Sequence, residues 1–188
     1  MKKIVLGLFS LLFVAITYGQ TVEIDGLEYA RINNKNEASV APSSTSITDA
    51  VILDFVTINA EKYPVTTIAG SAFKNCSSLR NLTIGRNINT IGEQAFKNCP
   101  LLNIIFLSET PPANIAKQAL KNNSTQTVYI PLGCESGYAS LFVSGGELEG
   151  KTTNYYIEEG KNFEMTNDLT INNAVQIVEY CVFLTVSS

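Results

Sequence analysis

Two segments of the chain carry the same order of apolar and polar residues, 23 positions apart. They are residues 68–84, IAGSAFKNCSSLRNLTI, and residues 91–107, IGEQAFKNCPLLNIIFL. Both contain the run Ala-Phe-Lys-Asn-Cys and end in alternating positions, which are typical of a half-buried β-strand. A repeat period of about 20–50 residues predicts stacked structural units, so we expect a solenoid with equivalent positions on adjacent turns.

An ungapped alignment of the two segments assigns the core of each repeat. It pairs identical residues, Phe73 with Phe96, Cys76 with Cys99, and Leu79 with Leu102. We predict that these six residues are buried structural positions. A degenerate third copy follows around Ile115 and Leu120 with an offset of 24. Residues 128–130 then return to the earlier offset, which keeps the strands in register.

Each repeat is predicted to contribute one strand and one helical turn. The strands are expected to end at residues 84 and 107, with helical turns at 71–76 and 93–99 and a second short strand at 65–68 and 88–91. One unit cannot be stable alone, because ordering each residue costs about 1–2 kcal/mol of backbone entropy and only neighbouring units bury the apolar side chains. The predicted fold class is therefore an α/β solenoid, mostly β.

The N-terminal segment, residues 1–19, has the pattern of a secretory signal peptide. A basic start at residues 2–3 precedes an apolar run at residues 4–16, and Thr17-Tyr18-Gly19 places small residues before a cleavage site. The apolar run is shorter than the roughly 20 residues that a membrane-spanning helix needs. We predict cleavage before Gln20 and export, with no membrane span in the mature chain. A retained N-terminal anchor is the alternative.

The rest of the chain divides into three segments. Residues 20–64 predict a β-rich N-terminal cap, and residues 65–143 predict the solenoid. Residues 144–188 form an acidic, β-prone tail that begins with a glycine-rich connector. This tail is predicted either to open a longer β-rich stalk, of which the chain is a truncated form, or to end a chain that is released after export.

Charge and composition narrow the function classes. Residues 20–133 carry nine basic and nine acidic residues, and the acidic excess lies in residues 134–188. A neutral body with an acidic tail does not match nucleic acid, which requires a basic face. The chain has no histidine and no cysteine pair with metal-ligand spacing. Neither a metal site nor a cofactor is predicted, and Ser-His or Cys-His catalysis is excluded.

Four cysteines in a chain predicted to be exported leave the disulfide pattern open. Cys76 and Cys99 are expected to be small buried thiols. Stacked repeats point these side chains in parallel, which suits a disulfide poorly. A bridge between Cys134 and Cys181 stays open as an alternative.

The repeats and their flanks resemble the BspA-type leucine-rich repeats of bacterial surface antigens. The resemblance rests on YPVTTI at residues 63–68, on two Ile-[Gly/Ala]-x-x-Ala-Phe-x-x-Cys units, and on VYIPLGC at residues 128–134. IDGLEY at residues 24–29 is similar to the lead-in strand of that family, so the resemblance covers about residues 22–142. It implies a right-handed leucine-rich-repeat coil, secreted or on the cell surface, whose relatives bind host proteins, other cells or matrix. It implies no catalytic residues.

The predicted sheet offers one candidate binding surface. If Leu82 and Ile84 point inward, Thr83 points outward, and the repeat offset adds Phe106 and Tyr129 from the next two strands. The candidate site is this row with its flanking residues: Thr83, Phe106, Tyr129, Asn81, Asn103 and Ile104. Exposed aromatic rows often mark binding surfaces. The acidic tail could instead fold over this face and bury the rings as ordinary core.

These observations favour an exported, non-catalytic module for protein binding or adhesion, with a protein or cell-surface ligand. The alternative is an architectural spacer or truncated remnant without a ligand. A glycan-active enzyme is the third hypothesis, because a carboxylate pair could be assembled from distant residues, although no spacing in the sequence proposes one.

Overall fold

The computed structural model describes residues 21–121, 127–158, 175–178 and 181–184, and the predicted signal peptide lies outside these residues. The described elements, in chain order, are β1 Thr21–Ile24, β2 Leu27–Arg31, β3 Ala38–Pro42, β4 Asp49–Val51, β5 Phe55–Ile58, β6 Glu61–Ile68, β7 Asn81–Ile84, β8 Thr90–Ile91, β9 Asn103–Phe106, β10 Asn114–Ile115, β11 Thr127–Pro131, α1 Glu135–Phe142, β12 Thr152–Glu158, β13 Val175–Val178 and β14 Cys181–Leu184.

The strands form two main sheets, which the chain visits alternately. Sheet I has the order β1-β2-β3-β6-β8-β10, with β5 paired to β6, and sheet II has the order β13-β14-β12-β11-β9-β7-β4. From β6 to β11 the chain crosses to the other sheet at each step, and the strands that become neighbours are parallel. Five parallel strands of sheet II, β4, β7, β9, β11 and β12, give a mostly-β solenoid of about five turns.

Stacking of the repeats is clearest at the aromatic pair that the sequence places at equivalent positions. Phe73 and Phe96 are fully buried, and their rings stack with centroids 4.9 Å apart. Ile68 pairs with Ile91 in sheet I, as the alignment of the repeats predicts. Equivalent positions therefore lie on adjacent layers and share one apolar core, so the predicted mostly-β solenoid is confirmed.

The register of sheet II differs from the ungapped alignment. Leu82 pairs with Ile104, one position short of the repeat offset, and Ile104 pairs with Val128, one position beyond it. One residue is therefore missing between Cys99 and β9, and the next connection restores it. The constant offset of 23 holds between the first two turns and for β6 with β8. It is 24 between β8 and β10, and it is wrong for each step between β7, β9 and β11 in sheet II.

The slip changes the identity of one predicted core residue. Leu101, not Leu102, occupies the position of Leu79, because Leu79 and Leu101 are fully buried while Leu102 is 45% exposed. The backbone shows the same equivalence: the N–H of Leu102 donates to the carbonyl of Arg80, as the N–H of Arg80 donates to the carbonyl of Thr48. Leu102 thus takes the solvent-facing position of Arg80, and the assignment of Leu102 to the core is wrong.

Tight turns replace the predicted helical turns on the side of the solenoid opposite sheet II. The N–H of Lys74 donates to the carbonyl of Ser71, three residues back, and alternate N–H groups leave the turn for the next layer, as Phe73 does to Ala95. Ser71 and Asn75 have φ values of 57° and 64°, which no α-helix contains. In the described part of the chain, the one helix is α1.

Both ends of the solenoid differ from its middle. At the start, β1, β2 and β3 are antiparallel, and β3 then joins β6 in parallel. At the far end, β12 pairs in parallel with β11. On its other side β12 pairs antiparallel with β14, and β14 pairs antiparallel with β13. Sheet II therefore continues past residue 143, where the sequence predicts the solenoid to end. The rest of the predicted tail, residues 159–174, 179–180 and 185–188, lies outside the described residues.

The side chain of Glu147 ends the series of backbone hydrogen bonds that link the tight turns of successive layers. In earlier layers, backbone N–H groups such as that of Phe96 donate to a carbonyl of the following layer, here that of Ala119. In the third repeat, the N–H groups of Gln118, Leu120 and Lys121 donate instead to the Glu147 carboxylate, at 2.9, 3.1 and 3.2 Å. One carboxylate therefore replaces the carbonyls that a further layer would supply.

We predict that Glu147→Ala lowers the free energy of unfolding by about 2 kcal/mol, because a hydrogen bond to a charged group stabilises by about 1.5–3 kcal/mol and these donors would lose their acceptor. Glu147→Gln, which keeps one acceptor oxygen, should lie between Ala and wild type. Urea unfolding followed by circular dichroism measures the change. Glu93→Ala, which removes an exposed carboxylate of the second repeat, is the control. Equal stability of the two alanine variants would contradict the role of Glu147 as the acceptor that closes the array.

Candidate functional site

The outward face of sheet II carries one row of residues across four parallel strands. Strand pairing aligns Val51 with Thr83, Thr83 with Ile105, and Ile105 with Tyr129. Val51 is 57% exposed, and the other three side chains are half-buried. We call these four residues the outer row. It is an apolar stripe interrupted by the hydroxyl group of Thr83, and its last member, the phenol Tyr129, is followed by the polar Asn154 of β12.

Two residues of the predicted binding site lie on the other side of the sheet. Ile104 and Phe106 are buried in the core, with exposures of 0% and 1%. The Phe106 ring packs against Tyr138, with centroids 5.3 Å apart. Side chains alternate along a strand, so the one-residue slip before β9 exchanges the inward and outward sets. The predicted outward orientation of Phe106 and Ile104 is therefore wrong, while Thr83 and Tyr129 are in the outer row.

A polar ladder runs beside the outer row. The side-chain amide of Asn103 donates to Oδ1 of Asn81 at 2.8 Å, and the amide of Asn81 donates to Oδ1 of Asp49 at 2.6 Å. These residues are neighbours in the strand pairing, so each amide is oriented by the layer before it. The structure thus brings Asn81 and Asn103 together, as the predicted site requires, and adds Asp49.

The prediction missed Val51 and Ile105. Val51 lies before the recognisable repeats, where no sequence periodicity marks β4 as a strand of the same sheet. Ile105 was hidden by the adjacent leucines at 101 and 102, because either of them aligns with Leu79 by residue type. The distinguishing signal was weak: only a one-residue gap gives Ile104 and Phe106 the same inward alternation as Leu82 and Ile84.

The two equivalent thiols are buried, as predicted. Cys76 and Cys99 are 0% and 2% exposed and are both free. The Cys99 thiol donates to the carbonyl of Phe73 at 2.8 Å. Burial, with a smaller contribution from neighbouring Cys76, raises the pKa of Cys99 to about 11, and burial raises the pKa of Cys76. Thiols held in the neutral form are poor nucleophiles and metal ligands. The open question of a Cys134–Cys181 bridge lies outside the described side chains.

Two other kinds of site, a metal site and a membrane-spanning helix, are absent from the residues that the structure describes. No group of three or more cysteine, aspartate or glutamate side chains is placed to hold a metal ion in those segments. In the same described segments, no helix has the length and apolar character needed to cross a bilayer. The face of sheet II presents an apolar row and a hydrogen-bonding ladder side by side.

A comparison with protein families matches residues 52–154 to the BspA type leucine rich repeat region, in six copies. This match covers more than half of the chain. The protein therefore belongs to the BspA-type leucine-rich-repeat family, as the resemblance of its repeats predicted.

The solved structures that match the chain are also bacterial repeat proteins. A leucine-rich repeat protein from Bacteroides capillosus is 21% identical, with 60% of this chain and 83% of that chain covered and a TM-score of 0.40. A leucine rich cell surface protein from Faecalibacterium prausnitzii is 19% identical, with 72% and 32% covered and a TM-score of 0.41. This chain thus spans about a third of the length of the second protein. No curated protein matches the chain.

The raised pKa of Cys99 predicts a loss of stability at alkaline pH. The folded thiol holds its proton up to a pH of about 11, whereas the unfolded thiol releases its proton near its usual pKa of 9.0. The contribution of the neutral Cys99 thiol to the free energy of unfolding is therefore complete below about pH 9. It is lost as the pH rises towards about 11. Urea midpoints measured at intervals between these pH values should fall for the wild type.

The control for this prediction is Cys99→Ala, which should show a shallower fall across the same interval. The buried cavity it creates lowers stability at every pH and so leaves the slope readable. Parallel pH profiles of the two proteins would show that another group, such as a buried tyrosine, governs the alkaline loss.

Proposed function

We propose that this protein is an exported, non-catalytic protein-binding module that contacts its partner through the outward face of sheet II. The observation that carries this proposal is the outer row, in which Val51, Thr83, Ile105 and Tyr129 lie on adjacent strands beside the ladder of Asp49, Asn81 and Asn103. An apolar stripe edged by oriented hydrogen-bonding groups is the composition that protein interfaces use.

The rigidity of the face supports a binding role. Each outer-row residue sits on a strand whose inward side chains are buried, so the row is held by the core and does not need to be ordered on binding. Preorganised side chains lose less conformational entropy when a partner binds. Tyr129 adds a large, amphipathic contact surface with few rotatable bonds, and tyrosine is enriched among the residues that dominate binding energy.

Attachment to a cell or matrix surface is the biological form of binding that we propose. Membership of the BspA-type family supports it, because the repeats of this chain resemble those of bacterial surface antigens. The partner is then a protein displayed outside the cell that makes this chain. The proposal also includes the signal peptide at residues 1–19, which is required for the module to reach that partner.

Replacing Ile105 and Tyr129 together with Ser should abolish binding to immobilised matrix glycoproteins or cultured epithelial cells, because it removes the apolar centre of the outer row. We expect at least about a tenfold loss of bound protein, as central interface residues contribute about 2 kcal/mol or more. Phe55→Ser with Val143→Ser, at two exposed apolar positions outside the row, is the matched control. Circular dichroism verifies folding. Equal binding by both double variants, or none by the wild type, would favour the architectural spacer.

Export is tested separately. The whole chain, expressed in a bacterium with its own residues 1–19, should appear outside the cytoplasm with Gln20 as its N-terminal residue. Leu12→Arg, which places a charge in the apolar run, should keep the chain in the cytoplasm with Met1 intact. N-terminal sequencing of the two fractions gives the result, and an exported chain that retains Met1 would point to the uncleaved anchor.

A further inference from the structure

The last strand of sheet I, β10, has an open edge. Within the described residues, β8 lies on one side of β10 and no strand lies on the other. A cleft of about 450 Å³ lies beside this edge. Its walls come from the segment 111–117 on one side and, on the other, from the end of α1 at Ser140–Leu141 with the loop to Glu147. Pockets of about 300–1,000 Å³ are usual for ligand sites.

The cleft lies where a further layer of the solenoid would continue sheet I. Ile68 and Ile91 are fully buried, and each has a following strand of sheet I beside it. Ile115 is the next member of this series, yet it is only partly buried and lines the cleft. The apolar series of sheet I is therefore left uncovered at its last member.

Backbone geometry gives this edge two hydrogen-bond acceptors. The N–H groups of Asn114 and Ala116 donate towards the previous layer, to the carbonyl of Asn89 just before β8 at 3.0 Å and to that of Ile91 in β8 at 2.9 Å. In a trans peptide group the N–H and C=O point in opposite directions. The carbonyls of Ala113 and Ile115, which share peptide groups with those N–H donors, therefore point away from β8 and towards the open edge. Two acceptors spaced two residues apart match an extended strand.

The charges at the cleft favour an acidic occupant. Lys117 lines the cleft, is exposed, and forms no ion pair with any residue of the described segments. Glu147, the other charged residue of the lining, already accepts three backbone hydrogen bonds. Nearby Lys121 is paired with Glu149 at 3.9 Å. Lys117 is thus the uncommitted charge of the cleft.

We propose that this cleft binds an extended, acidic peptide segment of a partner protein, which adds to β10 as a parallel strand. Counting the peptide residue opposite Asn114 as position 1, the N–H groups of positions 1 and 3 donate to the carbonyls of Ala113 and Ile115. Position 2 places an apolar side chain over Ile115, and position 4 places a carboxylate opposite Lys117. Addition of a strand to a sheet edge is an established mode of peptide recognition. The site does not rest on the outer row of sheet II.

The chain itself contains a peptide with this pattern. Thr90-Ile91-Gly92-Glu93 places an apolar residue at position 2 and an acid at position 4, and it takes the equivalent place beside β6 in the layer below. A synthetic peptide of residues 87–94, NINTIGEQ, with acetylated and amidated ends is therefore the probe. The peptide tests the site beside β10 with a sequence that already forms the next strand beside β6, one layer earlier.

Titration of the isotope-labelled full chain with this peptide should shift backbone resonances of residues 111–117 and 140–147. Methylating the nitrogen at position 3 removes a donor to the Ile115 carbonyl and should weaken binding about tenfold or more. Methylating the nitrogen at position 2, which points away from β10, is the matched control and should change affinity by no more than about threefold. Equal affinity of the two methylated peptides would overturn strand addition.

A charge exchange tests the acidic position. Lys117→Glu should weaken binding of the peptide by about three- to fivefold, and a peptide with Lys in place of Glu at position 4 should restore it, as expected for an exposed ion pair. Lys74→Glu, the same change in the tight turn of the first repeat, should leave binding unchanged.

Resonance shifts confined to other surfaces would show that the peptide does not bind beside β10. Self-association of the free chain through β10 would overturn the choice of a partner peptide and assign the edge to a second copy.

Discussion

The structure depends on the stacking of equivalent apolar side chains from one layer to the next. Phe73 and Phe96 illustrate it: neither ring could be buried by its own repeat, and each is covered by the other. The same holds for Ile68 with Ile91 and for Leu82 with Ile104. Because the hydrophobic stabilisation is shared between layers, no repeat is a stable unit, and the first and last layers need residues that cover their open sides.

The sequence predicted this stacking but not its register in sheet II. Five identical residues around Phe73 and Phe96 fix the turn side, where the fully buried rings tolerate no displacement. Between Cys99 and β9, two adjacent leucines offer two alignments of equal apolar match, and only one places Phe106 inside. A side-chain period of two makes such a slip decisive, because it reverses every side chain of the strand. Of the three residues in the predicted row, Thr83 and Tyr129 were therefore placed correctly, and Phe106 was exchanged with the core.

The ends of the solenoid could not be predicted from the two clear repeats, because segments outside residues 68–107 form them. Glu147 supplies carboxylate oxygens where a layer would supply carbonyls, and the hydroxyl of Tyr156 donates to the carbonyl of Phe106 at 2.8 Å from a strand far along the chain. Both contacts join residues that lie far apart in the chain, and the 23-residue period visible in the sequence does not relate them. Among the described strands, the same termination leaves β10 at the edge of sheet I, whereas sheet II continues into β12.

The two unequal steps in sheet II, the first one position short and the second one position long, show where the fold accommodates changes in length. A deletion before β9 and an insertion after it leave the flanking strands aligned, so single-residue length variation is confined to the connecting segments and cancels over two layers. Families of such arrays can therefore diverge by paired indels without losing their core. A comparison method that assumes a constant period would misassign the surface of every strand lying between the two members of such a pair.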